Sequence, residues 1–395
     1  MISHSIRRLS IAVVASVATT LCSTSLDAQS RVIVRADNPL PIERAEEIVS
    51  MPWPSVVAKL VGIVKANVRV LDSEGRELIS QVVDNDGDGT PDALIFQANF
   101  GAKESRKFVV EAVAPVVQPP RVHIRHDEPR DDIAWENDRG AWRIYGEGLK
   151  KTSSAMSSSG IDVWQKKTRA LIVDKWYDKG HDSYHVDTGD GADFFDVGET
   201  LGAGGTAIWQ NDTMYRADNF KAWKIVANGP LRAVFELRYD PWKAATLTVS
   251  EVKRVSVDAG QQMYRAESVF KVEGGAATKI PYVIGLVKRP GLIGSESNAN
   301  TWAWLSAWGP TAPKNGGHGE LGTAVMLLRD KTTDWKEVHG HYLAVANAMS
   351  GTPNVHYVGM AWTAAGDILT PQAWWKYLDL FALRVAAPIH VQMLP

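Results

Sequence analysis

Between residues 181 and 193 the chain gathers two histidines, one tyrosine and four aspartates among glycines: His181, Asp182, Tyr184, His185, Asp187, Asp190 and Asp193. An imidazole exchanges a proton near neutral pH. A phenol can give one, and a carboxylate can orient either. Acid–base chemistry on a bound ligand accounts best for that mixture. Three other readings stay open. His181, His185 and Asp187 are good metal ligands, although their spacing matches no recognised site. Gly202, Gly204 and Gly205 suggest a phosphate loop, but no Lys-Ser/Thr pair or helical pattern follows them. The stretch is otherwise a structural loop. No Gly-x-Ser-x-Gly elbow supports a serine hydrolase.

A second acidic group, Asp84, Asp86, Asp88 and Asp92, alternates with Asn and Gly. It follows the first half of a calcium loop, in which oxygens at alternate positions surround a hard cation. Position 12 should be Glu and is Ile95, and the flanking residues 79–83 and 93–96 read as strands. It is therefore not an EF-hand. A structural Ca2+ is expected there, the alternative being a solvated turn. No organic cofactor is expected.

Weaker candidates are scattered. Trp302, Trp304 and Trp308 alternate, as rings on one strand face would, and form either core or a platform for sugar rings. Arg143, Arg232, Arg254 and Arg265 lie on strand patterns and need anionic partners if buried. His339 and His341 would share a strand face, and His318 sits in a glycine-rich loop.

The elements that must carry these groups are mostly strands. Period-two alternation marks 31–35, 67–71, 108–113, 142–145, 233–239, 246–257 and 264–272. Helical pattern is scarce, the best candidates being 45–50 and 371–381. Residues 1–28 have the basic start, short apolar run and small-residue exit of a secretory signal peptide, with Cys22 inside it. A small β domain then spans 29–118, and a larger β-rich domain spans 119–395. The protein is expected to be periplasmic or secreted, without membrane attachment after cleavage. Lys and Arg number 43 against 45 Asp and Glu, a net charge of −2 that argues against nucleic-acid binding. The 15 tryptophans suit either sugar stacking or sandwich cores.

Several segments together resemble an exported bacterial family known only as domain of unknown function 4861. They are 135–139 (Trp-Glu-Asn-Asp-Arg), 160–164 (Gly-Ile-Asp-Val-Trp), 184–195, 202–206 (Gly-Ala-Gly-Gly-Thr), 228–232 and 375–381. The resemblance covers nearly the whole mature chain. It implies an all-β protein: a small N-terminal β-sandwich-like domain followed by a large mutarotase-like β-supersandwich. At least one member is thought to be an oligosaccharide dehydratase acting on uronic-acid-containing ulvan fragments. It thus implies an oligosaccharide substrate that contains uronic acid.

Dehydrating a uronate requires a base at C5, an acid at the departing oxygen, and a cation or donors that stabilise the developing enediolate. On that reading His185 is the base, Tyr184 the acid, and Asp187 orients the imidazole. Lys175, Arg143 or Arg232 would neutralise the carboxylate. Trp302 and Trp304 would hold sugar rings. The alternatives are a polysaccharide lyase, a glycoside hydrolase using two carboxylates such as Asp187 and Asp193, and a non-catalytic carbohydrate-binding protein.

Overall fold

The computed structural model describes Met1 and residues 30–60, 62–152, 159–275, 279–311 and 317–394. The signal-peptide segment and Cys22 lie outside the described residues. The fold is all-β, with few helices. None of the described helices is long and apolar enough to cross a membrane.

The first domain is a sandwich. One sheet runs in the order His390–Met393, Arg31–Asp37, Ser105–Glu111, Arg69–Leu71, Glu77–Leu78. The other is Arg44–Pro52, Ala93–Phe100, Ser80–Val83. Alternation places Val32, Val34 and Ala36 inside, against Val49, Met51, Phe96 and Phe108. The final strand of the chain pairs with the first, Val34 opposite Met393. The tail of the chain thus returns to this sheet.

The helix expected at 45–50 is instead part of the strand Arg44–Pro52, paired along Ala93–Phe100. A bulge near Glu46, whose φ is +52°, breaks the alternation that would have revealed it.

The large domain is built on an eight-stranded antiparallel sheet. Its centre comprises Arg232–Ala244, Leu247–Asp258, Met263–Val272 and Pro353–Trp362. The run at 246–257 becomes the 12-residue strand Leu247–Asp258. Two five-stranded sheets share a core with the eight-stranded one. One contains Ala203–Gln210, Lys279–Val287 and His341–Met349. The other contains Val122–Asp127, Asp132–Asn137, Ala141–Tyr145, Asp162–Lys166 and Gly191–Ala192. Trp135 and Trp142 of the latter pack on Phe235 and Tyr264 of the large sheet, with ring centroids 5.0–5.3 Å apart.

The helix expected at 371–381 forms as Pro371–Ala386. Thr370 caps it by accepting the amide of Ala373, and Pro371 needs no donor at the first position. The helix lies on the outer face of the large sheet, over Trp304, Trp308 and Met326. Trp304 and Trp308 are 3% and 2% exposed. Their indole N–H groups donate to Asp379 and Glu320. This corrects the expected sugar platform. The alternation holds, but the face it defines is covered by the helix. Trp302 is half-buried against Tyr357 in the same packing.

Candidate active site

The dense polar segment folds back over the outer face of the sheet that contains Asp132–Asn137, Ala141–Tyr145 and Asp162–Lys166. Its anchor is the fully buried pair of Lys166 and Glu136, 2.6 Å apart. Glu136 also accepts the amides of Ile172 and Val173 at 2.7–2.9 Å. The carboxylate thereby satisfies the open N–H groups of the short helix Val173–Asp178. A 3-10 turn, His181–His185, follows. Trp176, Tyr177 and Tyr184 then stack on Trp164 with centroids 4.8–5.3 Å apart. Gly191 closes the segment with φ +110°, where a Cβ would stand 2.0 Å from the Gln165 carbonyl. The glycine there serves close strand approach.

Under this cover lies Arg143. Its Nε and Nη2 donate to Asp162 at 3.0 and 2.6 Å, Nη2 also reaches Asp193 at 3.2 Å, and Nη1 donates to the Tyr184 hydroxyl at 2.8 Å. The guanidinium also lies over the rings of Tyr145 and Trp164. Asp132 stands 4.0 Å away. One Asp132 oxygen accepts from Tyr177 at 2.6 Å; the other, which faces Arg143, is buried with no hydrogen bond among the described residues. Burial pushes this carboxyl up to about 6, against the opposing charge of Arg143.

His185 stands at the edge of the cluster, with its side chain 35% exposed. Nδ1 faces Asp193, 3.3 Å from the main-chain oxygen and 3.6 Å from the carboxylate. Partial burial holds the imidazole below its usual range, the contact with Asp193 opposes this, and His181 adds to it. The His181 ring centroid is 5.0 Å from that of His185. A neutral ring oriented through one nitrogen can take a proton at the other.

Arg289 was not singled out by sequence. It approaches the same acidic group from the end of a strand in the neighbouring sheet. Its guanidinium lies 4.6 Å from the Phe195 ring centroid. Desolvation depresses its pKa, and Asp196, Asp162 and Asp193 oppose that. Among the described residues no carboxylate lies within ion-pair distance of it. A lone arginine carries no local pattern that would have revealed it.

The other expected roles divide. Tyr184 is 2% exposed, with its hydroxyl on Arg143, so it is closed to a ligand and is corrected from acid to core. Asp187 does not touch the imidazole. It accepts the amides of Gly189 and Gly191 and the Lys167 ammonium, so it staples its own turn. The residue that orients the imidazole is Asp193, six residues on, through its main-chain oxygen at 3.3 Å. Arg143 is enclosed by protein carboxylates. Lys175 is half exposed and paired with Asp190. Arg232 clasps Asp258 at 2.6 and 2.7 Å in a separate cleft.

Gly202, Gly204 and Gly205 make no phosphate loop; they sit at the start of a buried strand. His341 accepts the Leu201 amide, His339 approaches the Asp212 carbonyl, and His318 stacks on Phe194. Among the described residues, the one group of three potential ligands that converges is Asp84, Asp86 and Asp88, with oxygens within 4.8 Å of one another. Both Asp84 oxygens also accept loop amides, from Gly87 and Gly89. Asp92 turns back to the Asn85 amide instead.

The family model described as "Domain of unknown function (DUF4861)" matches residues 36–391. This chain belongs to that family. An uncharacterized protein, P7, from Formosa agariphila is 30% identical over 335 residues, 80% of this chain and 82% of that protein. Two solved structures share the fold at 9% identity and a TM-score of 0.52. They are an alpha-mannosidase from Enterococcus faecalis V583 and a protein of glycosyl hydrolase family 38 from Enterococcus faecalis. They cover 93% of this chain, which spans 46% and 48% of theirs. The match takes in the segments at 135–139, 160–164, 184–195 and 202–206. Those at 160–164 and 184–195 meet at Arg143.

Proposed function

We propose that this DUF4861 protein is a carbohydrate-active carbon–oxygen lyase that removes water from a terminal uronic acid of an oligosaccharide. One observation carries this reading. A half-exposed imidazole held by Asp193 shares its acidic surroundings with Arg289, a largely desolvated guanidinium without a carboxylate partner among the described residues. The two supply the base and the carboxylate receptor that the reaction demands. His185 takes the C5 proton, and the C–H electron pair becomes the C4–C5 double bond. The C4–oxygen bond breaks, and the hydroxyl leaves as water after receiving a proton from His181. Arg289 binds the carboxylate while charge spreads into it, when a preorganised donor contributes most. Tyr184 and Arg143 form the rigid floor that fixes the dyad.

Mass spectrometry on uronate-terminated oligosaccharides, ulvan fragments among them, tests the proposal. The expected product is the substrate less one water, with the ultraviolet absorbance of a conjugated acid. New reducing ends without that absorbance would make the protein a hydrolase and sink the reading.

We also propose that Asp84, Asp86 and Asp88 hold one structural Ca2+, their hard oxygens suiting that ion. Lys224 and Arg254 already hold the loop by donating to the Gly87 and Asp86 carbonyls. Chelation is expected to lower Tm, and added calcium to restore it. In the Asp84→Asn, Asp88→Asn double variant neither treatment should move Tm; a wild-type response there refutes the site.

A further inference from the structure

A sizeable cleft lies away from His185. Its volume is about 490 Å³, within the range of ligand sites. The small domain, the eight-stranded sheet and the C-terminal helix meet there. Val234 faces the cleft, whereas its neighbour Phe235 packs into the core on Trp135. The cleft is therefore on the outer face of the large sheet. Arg143 and His185 lie beyond the opposing sheet, on its own outer face. Two sheets and the core between them separate the two places, so no single sugar ring touches both.

Arg232, Arg254, Arg265 and Arg384 line the cleft with Tyr357. Each arginine faces a carboxylate: Asp258 at 2.6 Å, Glu236 at 3.2 Å, Glu267 at 2.7 Å and Glu47 at 3.3 Å. The walls thus alternate strong donors and strong acceptors at near-balanced charge. A phosphate or sulfate would meet as many carboxylates as guanidiniums. An alcohol is both donor and acceptor and matches either. The Arg254 side chain is a quarter exposed, so its guanidinium presents donors at the wall of the cleft. Tyr357 is half-buried, its ring 5.3 Å from that of Phe381, and it supplies an apolar wall.

We infer that this cleft is a saccharide-binding site for an uncharged, hydroxyl-rich sugar unit, separate from the reacting centre. It docks a neutral part of a glycan, and the inference does not depend on His185 being a base.

Calorimetric titration of the full chain with xylotriose, mannotriose and cellotriose, beside a galacturonate trimer and inorganic sulfate, tests it. At least one neutral trimer is expected to bind wild type. Arg254→Lys keeps the charge but removes the forked guanidinium donor, and should weaken that binding at least ten-fold. Tyr357→Ala should weaken it comparably. His185→Ala should bind as wild type does, which separates this inference from the proposed reaction. Absence of binding by every neutral trimer overturns it. So does sulfate binding alone, which would mark an anion site. Equal trimer binding by wild type and both cleft variants would place the sugar elsewhere and overturn it too.

Discussion

His185→Ala should lower kcat on a uronate oligosaccharide by about 10²–10⁴-fold, the usual worth of one positioned proton transfer. KM should change little, because the base acts mainly on the transition state. The variant should fold, since the ring stands at the edge of the cluster and 35% of its side chain is exposed. The pH profile gives a second reading. The imidazole must be neutral to accept a proton, and partial burial depresses its pKa. Turnover should therefore fall as pH drops through a midpoint below the ordinary histidine value of about 6.5. Asp193→Asn keeps the main-chain acceptor 3.3 Å from Nδ1 and removes only the carboxylate charge at 3.6 Å, so it should cost less than the full penalty. It should also shift that acid-side midpoint, which a purely structural defect would not do. Wild-type turnover from a folded His185→Ala protein would move the base elsewhere and remove the central element of the proposed reaction.

Arg143→Met should destabilise the protein by about 3–5 kcal/mol, the range seen when one member of a buried ion pair is removed. The arginine is fully enclosed, and its neighbours Asp162, Asp193 and Asp132 are 1%, 2% and 0% exposed. Without the guanidinium, the first two face each other with no cation at their centre. Desolvation then favours protonation of the acids, a cost that grows at higher pH. Tyr184 also loses the donor to its hydroxyl, which loosens the floor beneath His185. Urea unfolding followed by tryptophan fluorescence measures this directly, since Trp164 stacks on the guanidinium. Arg143→Met, Asp162→Asn should recover part of the loss, because it removes a charge that the first change left unpaired. An unfolding midpoint equal to wild type would show that the acids are neutral or solvated in the fold.

Much of this protein is legible in its sequence for one physical reason: strand alternation is local. The period-two runs at 31–35, 233–239 and 246–257 each become half-buried strands, because side chains on a pleated strand point to opposite faces whatever their partners are. The helix from Pro371 is likewise announced by its own cap and first residue. The segments at 160–164 and 184–195 meet at Arg143, through Asp162, Tyr184 and Asp193. What fills the space opposite a face is a different matter. Trp304 and Trp308 alternate as a sugar platform would, yet a helix from some seventy residues later covers them. Asp187 was nearer His185 in sequence, but the turn closed by Gly189 and Gly191 directs it inward. Asp193 reaches the imidazole because the chain doubles back. Arg289 carries no local signal at all, and only the packing of one sheet against another brings the end of its strand to those acids. Its likeness to a binding group lies in the lack of a carboxylate partner among the described residues, a property of the surroundings that no stretch of residues contains.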